Sequence, residues 1–154
     1  MAPNVKRTGE TVQLVSYQNG ANATGTTRIP QDTTIPQITE GDEYMTKAIT
    51  PTSAVNILIV DVVFCSSCNV AQTIVVALFQ DAVANALAAV AGNCPVNGYP
   101  EVTTLSHARV AGTVSAITFR VRAGTNATET INFNAGGLFG GVSASSITIT
   151  EVMA

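Results

Sequence analysis

The side chains that could do chemistry in this chain are a few cysteines, one histidine and scattered carboxylates, and their spacing offers little. Cys65-Ser-Ser-Cys68 is a C-x-x-C, Cys94 stands apart, and His107 is the sole histidine. Together they would make one Cys3His zinc set. Redox C-x-x-C pairs belong where a strand meets a helix in a βαβ unit, whereas this one lies between two β-branched runs. A zinc site would also consume every such ligand the chain has, so neither metal nor cofactor is expected. His107 falls mid-run in Leu105-Ser-His-Ala-Arg109 with no partner motif. It is expected to be a hydrogen-bonded strand residue, not a general base. Cleaving a glycosidic bond requires two carboxylates held a fixed distance apart. Asp32, Asp61, Asp81, Glu101, Glu129 and Glu151 are dispersed, and the one cluster, Glu40-Gly-Asp42-Glu43, fits a solvated turn or a cation site. No G-x-S-x-G or phosphate-cradling glycine loop occurs. No catalytic residue is assigned, and the chain is expected not to be an enzyme.

Composition sets the frame around these residues. The 154 residues suffice for one domain with a full core. Hydrophobic residues make up 46% and charged residues only 11%, which excludes wholesale disorder. That apolar load, with so few charges, points to burial against other subunits. The net charge is −3, and Lys6, Arg7, Arg28, Lys47, Arg109, Arg120 and Arg122 form no stripe. Nucleic acid is therefore not an expected partner. Residues 1–11 lack the apolar segment of a secretory leader, and the apolar run 54–65 is too short to span a bilayer. A soluble protein made in the cytoplasm, with no membrane insertion, is expected. Asn22-Ala-Thr24 and Asn126-Ala-Thr128 match the N-glycosylation pattern but suit Asn/Thr-rich turns.

The elements that must position these side chains are strands. Runs at 43–50, 55–65, 71–80, 102–110, 117–123, 129–134 and 145–153 are separated by Gly, Pro, Asn and Asp, with Gly112, Gly124, Gly136-Gly137 and Gly140-Gly141 as turn markers. Ile117, Phe119 and Val121 alternate with Arg120 and Arg122, and Ile131/Phe133 and Ile147/Ile149 repeat the pattern. The Ala-rich segment 82–91 suits either a helix begun at Asp81 or a strand, and its all-β surroundings favour the strand. The spacing predicts an all-β antiparallel sandwich over 41–154, preceded by an extended arm over 1–40 that carries a possible strand at Val12–Tyr17, Pro30 and Pro36, and that lies across its own barrel or a neighbour. Ile57, Ile59, Phe64, Leu78, Phe79, Phe119, Phe133 and Ile149 are the expected core and subunit-contact residues. In the arm, Val12, Leu14, Ile29 and Ile35 are the candidate assembly contacts. If 55–65, 71–80 and 83–91 form a meander, Cys94 approaches Cys65 or Cys68. Free thiols suit a reducing cytosol; a disulfide, with Cys68 and Cys94 as the candidate pair, is the alternative.

Several phrases resemble a known family. They are Arg28-Ile-Pro-Gln-Asp-Thr-Thr-Ile-Pro36, Glu40-Gly-Asp-Glu-Tyr-Met-Thr-Lys-Ala-Ile-Thr-Pro51, Ala77-Leu-Phe-Gln-Asp81, Thr118-Phe-Arg-Val-Arg-Ala-Gly124 and Leu138-Phe-Gly-Gly-Val-Ser-Ala-Ser-Ser-Ile-Thr-Ile-Thr-Glu151. Residues 25–154 are similar to the jelly-roll knob of tailed-bacteriophage virion proteins, whose arrangement is like the trimeric C1q and tumour-necrosis-factor heads. The resemblance implies a jelly roll, a homotrimer and a surface-binding role without catalytic residues. A chain of this length is expected to be a knob without a shaft. The leading expectation is thus a capsid decoration (cement) protein that bridges major capsid or other virion subunits. The alternative is a tail-fibre or tailspike knob that docks host surface polysaccharide. Tyr17, Tyr44 and Tyr99 are the candidate aromatic contacts for sugar.

Overall fold

A computed structural model describes residues 7–154. Ten strands form two antiparallel sheets that face each other. They are β1 (Thr11–Asn19), β2 (Ala23–Gly25), β3 (Asp42–Ile49), β4 (Ile57–Cys68), β5 (Gln72–Gln80), β6 (Ala88–Cys94), β7 (Glu101–Val110), β8 (Ile117–Thr125), β9 (Ile131–Phe133) and β10 (Ser145–Val152). Two short 3-10 turns, Asn134–Gly136 and Leu138–Gly141, link β9 to β10. No helix among the described residues is long and apolar enough to cross a membrane.

The larger sheet runs β1-β10-β4, with β7 on the far side of β4 and the short β9-β2 pair at its end; the smaller runs β3-β8-β5-β6. The pairing is nested: β1 with β10, β3 with β8, β4 with β7, and β5 with β6. The chain is in effect one long hairpin rolled up, which is the jelly-roll winding that the resemblance implies. The expected meander is not present. β4 and β5 follow one another in sequence but lie in opposite sheets, because a rolled hairpin pairs each strand with its partner across the winding.

Alternation places the core. Leu58, Val60, Val62 and Phe64 of β4 face Ile74, Val76 and Leu78 of β5 and Ile117, Phe119 and Val121 of β8 in one buried cluster. Ile57 and Ile59, expected among the core and subunit-contact residues, are not in the core: they occupy the opposite parity of β4 and are half-buried on the outer face. Phe64, Phe119, Phe133 and Ile149 are buried as expected. Residues 82–91 are not a helix; the strand begins later, at Ala88, and runs on to Cys94.

The segment expected as an arm belongs mostly to this sandwich. Residues 11–19 form the edge strand β1, paired along β10. Residues 26–41 lie over the outer face of the smaller sheet, where Ile29 joins Val75, Ala77 and Phe79 in a second buried cluster. The strap is pinned at both ends. Ile29 N donates to Thr125 O at 3.1 Å, and near its far end Ile38 N donates to Ala84 O at 2.7 Å. Gly124, expected in a turn, sits inside β8, where a Cβ would come within 2.5 Å of the Thr27 carbonyl oxygen. Residues 1–6 of the expected arm lie outside the described residues.

One buried charge ties the larger sheet to its neighbours. Glu151 on β10 is fully buried. Its carboxylate accepts hydrogen bonds from Gln13 Nε2 at 2.6 Å, Asn56 Nδ2 at 2.7 Å and Thr52 N at 2.9 Å. Burial works against the charged form, but the bonds from Asn56, Gln13 and Thr52 outweigh it and hold the carboxyl down at about 2 against an ordinary 4.5. A depressed folded value means stability is present above pH ~4.5 and lost as pH falls towards ~2. We expect urea denaturation to show wild type losing on the order of 3 kcal/mol over that window from this group. Glu151→Gln should be less stable at neutral pH and should respond less to acid. An equal acid response in both proteins would contradict the assignment.

Candidate functional site

β1 and β3 are edge strands on the same open side of the sandwich, each paired on one flank only. Between them lies a groove of about 360 Å³ lined by Tyr17, Glu43, Tyr44, Met45 and Thr46. Tyr17 pairs with Ile147, so its parity directs it inward. Because β1 ends the sheet, the ring meets no further strand and stays 41% exposed. A register shift between Glu43 and Met45 twists the opposite wall. The Tyr44 ring packs against the core aromatics, with centroids 5.4 Å from Phe64 and 5.0 Å from Phe133. Its hydroxyl is buried without a hydrogen-bond partner, and burial, then the nearby Asp42 and Cys68, push its pKa above the usual phenol range.

Glu43 is the groove's charged group and is held in place by guanidinium groups. Its carboxylate lies 3.1 Å from Arg120 Nη1 and 3.7 Å from Arg122 Nη1. Those arginines are themselves fixed by backbone carbonyls: Arg120 Nε donates to Asp81 O at 3.0 Å, and Arg122 to the carbonyls of Glu40 and Gly41. The site thus combines a half-exposed aromatic ring, an oriented carboxylate and a threonine hydroxyl. Of the three tyrosines singled out in the sequence, the fold brings two together. Tyr99 sits in the loop between β6 and β7, 50% exposed.

The outer face of the larger sheet is a second uncovered feature. Leu14, Ile57, Ile59, Val63, Val102 and Val110 lie on it in register, and Asp61, bonded by Ser106 Oγ at 2.6 Å, is its one charge. Among the candidate assembly residues, Leu14 and Ile35 are exposed and Val12 is half-buried. Ile29 is spent within its own chain and is not free to touch a neighbour.

The remaining reactive groups are built into the fold. His107 pairs with Val60 in the ladder, and burial, followed by Arg109, lowers its pKa. No cluster of three or more His, Cys, Asp or Glu that could hold a metal occurs among the described residues. The cysteines are free thiols. Cys65 points away from Cys68, towards Ala144 O at 3.6 Å, whereas Cys68 and Cys94 are both buried and adjacent. Several carboxylates serve as structural acceptors: Asp42 for Thr27, Asp81 for Thr118 N, Glu129 for Asn69 and Glu151 for the network above. Sequence reasoning passed over Glu43 and Glu151 individually. Glu151 was recoverable, since it continues the inward parity of Ile147 and Ile149.

No protein-family model matches the chain, and no curated protein does. Among solved structures, the C-terminal domain of EclA, a sugar-binding protein, is 16% identical, with a TM-score of 0.39, over 85% of this chain and 80% of that one. The enzymatically active domain of tailspike protein 4 of bacteriophage CBA120 is 14% identical, with a TM-score of 0.33. That match covers 88% of this chain but only 19% of the tailspike chain. Likeness at this level carries no argument about what this chain does.

Proposed function

We propose that this chain is a non-enzymatic jelly-roll attachment module of a phage virion appendage that binds surface polysaccharide in the groove between β1 and β3. The observation that carries the reading is the convergence of Tyr17, Glu43 and Thr46 on one open side of the sandwich. A pyranose presents a C–H-rich face that packs on an aromatic ring, and hydroxyls that a fixed carboxylate can accept. Arg120 and Arg122 hold Glu43 in one orientation before any sugar arrives, which lowers the ordering cost of binding. The non-enzymatic reading rests on how the carboxylates are used: Asp42, Asp81, Glu129 and Glu151 are committed to structural hydrogen bonds. Hydrolysis would need two carboxylates facing one glycosidic bond. The virion setting comes from the resemblance of residues 25–154 to phage knobs.

Capsid decoration loses its chief structural reason. A cement protein would use its arm, residues 1–40 here, to reach over neighbouring capsomers, whereas residues 11–40 are committed to the chain's own sandwich. Subunit contact through the bare larger sheet remains part of the proposal. Burying each large aliphatic side chain contributes about 1.5–3 kcal/mol, enough for a few to hold an assembly. Native mass measurement should give three times the 15.9 kDa chain, and Val102→Lys should shift it towards monomer. A monomeric wild type would remove the assembly claim.

Binding is tested with a panel of purified bacterial capsular and O-antigen oligosaccharides, by calorimetry and by release of reducing ends. We expect Tyr17→Ala and Glu43→Gln each to weaken the best binder by ~10-fold or more, with Tyr99→Ala unchanged. Equal binding by the groove variants would displace the site. Release of reducing ends by wild type would overturn the non-enzymatic reading.

A further inference from the structure

Cys68 ends β4 in the larger sheet and Cys94 ends β6 in the smaller one. No strand pairing joins β4 to β6. Both residues are fully buried and both are free thiols. The Cys68 N–H donates to Cys94 Sγ at 3.1 Å. A backbone N–H of one cysteine 3.1 Å from the sulfur of the other puts the two residues side by side across the sandwich, as a disulfide requires. Cys65, the other half of the C-x-x-C, points elsewhere, to Ala144 O.

We propose that Cys68 and Cys94 form a latent cross-sheet disulfide, closed by exchange with a small-molecule disulfide such as oxidised glutathione once the protein leaves a reducing compartment. The loop 95–100 covers the pair. Gly98 N donates to Cys68 O at 2.7 Å, and Cys94 Sγ donates to Val96 O at 3.4 Å and lies 3.7 Å from Tyr99 O. The loop carbonyls hold the Cys94 sulfur, so lifting the loop frees that thiol. The Cys94 thiolate attacks one sulfur of glutathione disulfide and expels one glutathione thiolate, leaving a mixed disulfide. The Cys68 thiolate then attacks the Cys94 sulfur and expels the second. The protein thiols lose two electrons to the glutathione pair, and the two protons they give up pass to the departing thiolates. Burial, then Cys94 beside it, pushes the Cys68 thiol up to about 12, so the covered pair reacts slowly and exchange waits on loop opening.

The link would close a loop between residues 26 apart and staple the two sheets at one end. Chain-entropy arguments for a loop of this size translate to a rise in Tm of about 6–12 °C. The test takes the full chain, purified reduced, and refolds it in mildly alkaline buffer containing oxidised and reduced glutathione. Intact mass, thiol alkylation and peptide mapping identify the link, and a thermal melt with and without reductant reads its effect. We expect a Cys68–Cys94 peptide, the loss of two hydrogens and the Tm rise, all retained in Cys65→Ala and reversed by reductant. A Cys65–Cys68 link, no link after refolding, or a link that lowers Tm would each overturn the proposal. Because wild type and Cys65→Ala keep both thiols of the pair, the result does not depend on whether Cys68 or Cys94 variants fold.

Discussion

Burial of β5 on both faces is the constraint on which the rest of the structure depends. Ile74, Val76 and Leu78 fill the space between the sheets, while Val75, Ala77 and Phe79 point the other way and are just as buried. A sandwich strand with one face in water needs only alternate apolar residues; one that is apolar throughout must be covered twice. The second cover is residues 26–41, with Ile29 as its buried anchor. β8 is shaped to receive it. Gly124 pairs with Val75 and leaves room for the strap backbone, and Arg122, paired with Ala77, bonds the carbonyls of Glu40 and Gly41.

That cover makes the molecule asymmetric. The smaller sheet is closed by its own chain, whereas the larger sheet and the open side are left uncovered. The larger sheet presents an almost uncharged outer face, and the open side offers the groove of Tyr17 and Glu43. The strap also links cover to groove. It ends at Gly41, next to β3, and the arginine that grips it there also contacts Glu43. The residues that close one face therefore help to aim the carboxylate on the other feature.

Much of the fold was legible because alternation is strong late in the chain. The inward sets Ile117/Phe119/Val121 and Ile147/Ile149 lie where the sequence puts them. The two parities of β4 were not separated, because its run is apolar on both faces. Asp61 was the clue: the lone charge marks the outer parity shared with Ile57 and Ile59. Gly124 misled as a turn marker, since a glycine needed for close backbone approach looks the same in sequence as one needed for a turn. The crossing of β4 to β5 between sheets was not legible, because a short connection serves a meander and a sheet change alike. The groove was half legible: Tyr17 and Tyr44 were marked, but their meeting depends on two edge strands distant in sequence.

The most direct measurement of this account is hydroxyl-radical footprinting of the intact protein, read residue by residue by mass spectrometry. It predicts that Ile29 and Phe79 stay unlabelled while Ile35 and Tyr99 are modified, and that Gly124→Ala, by displacing the strap, opens Phe79 to labelling. Phe79 labelled in wild type as strongly as Ile35 would mean that the strap does not close the smaller sheet, and the division between a covered face and a working face would fall.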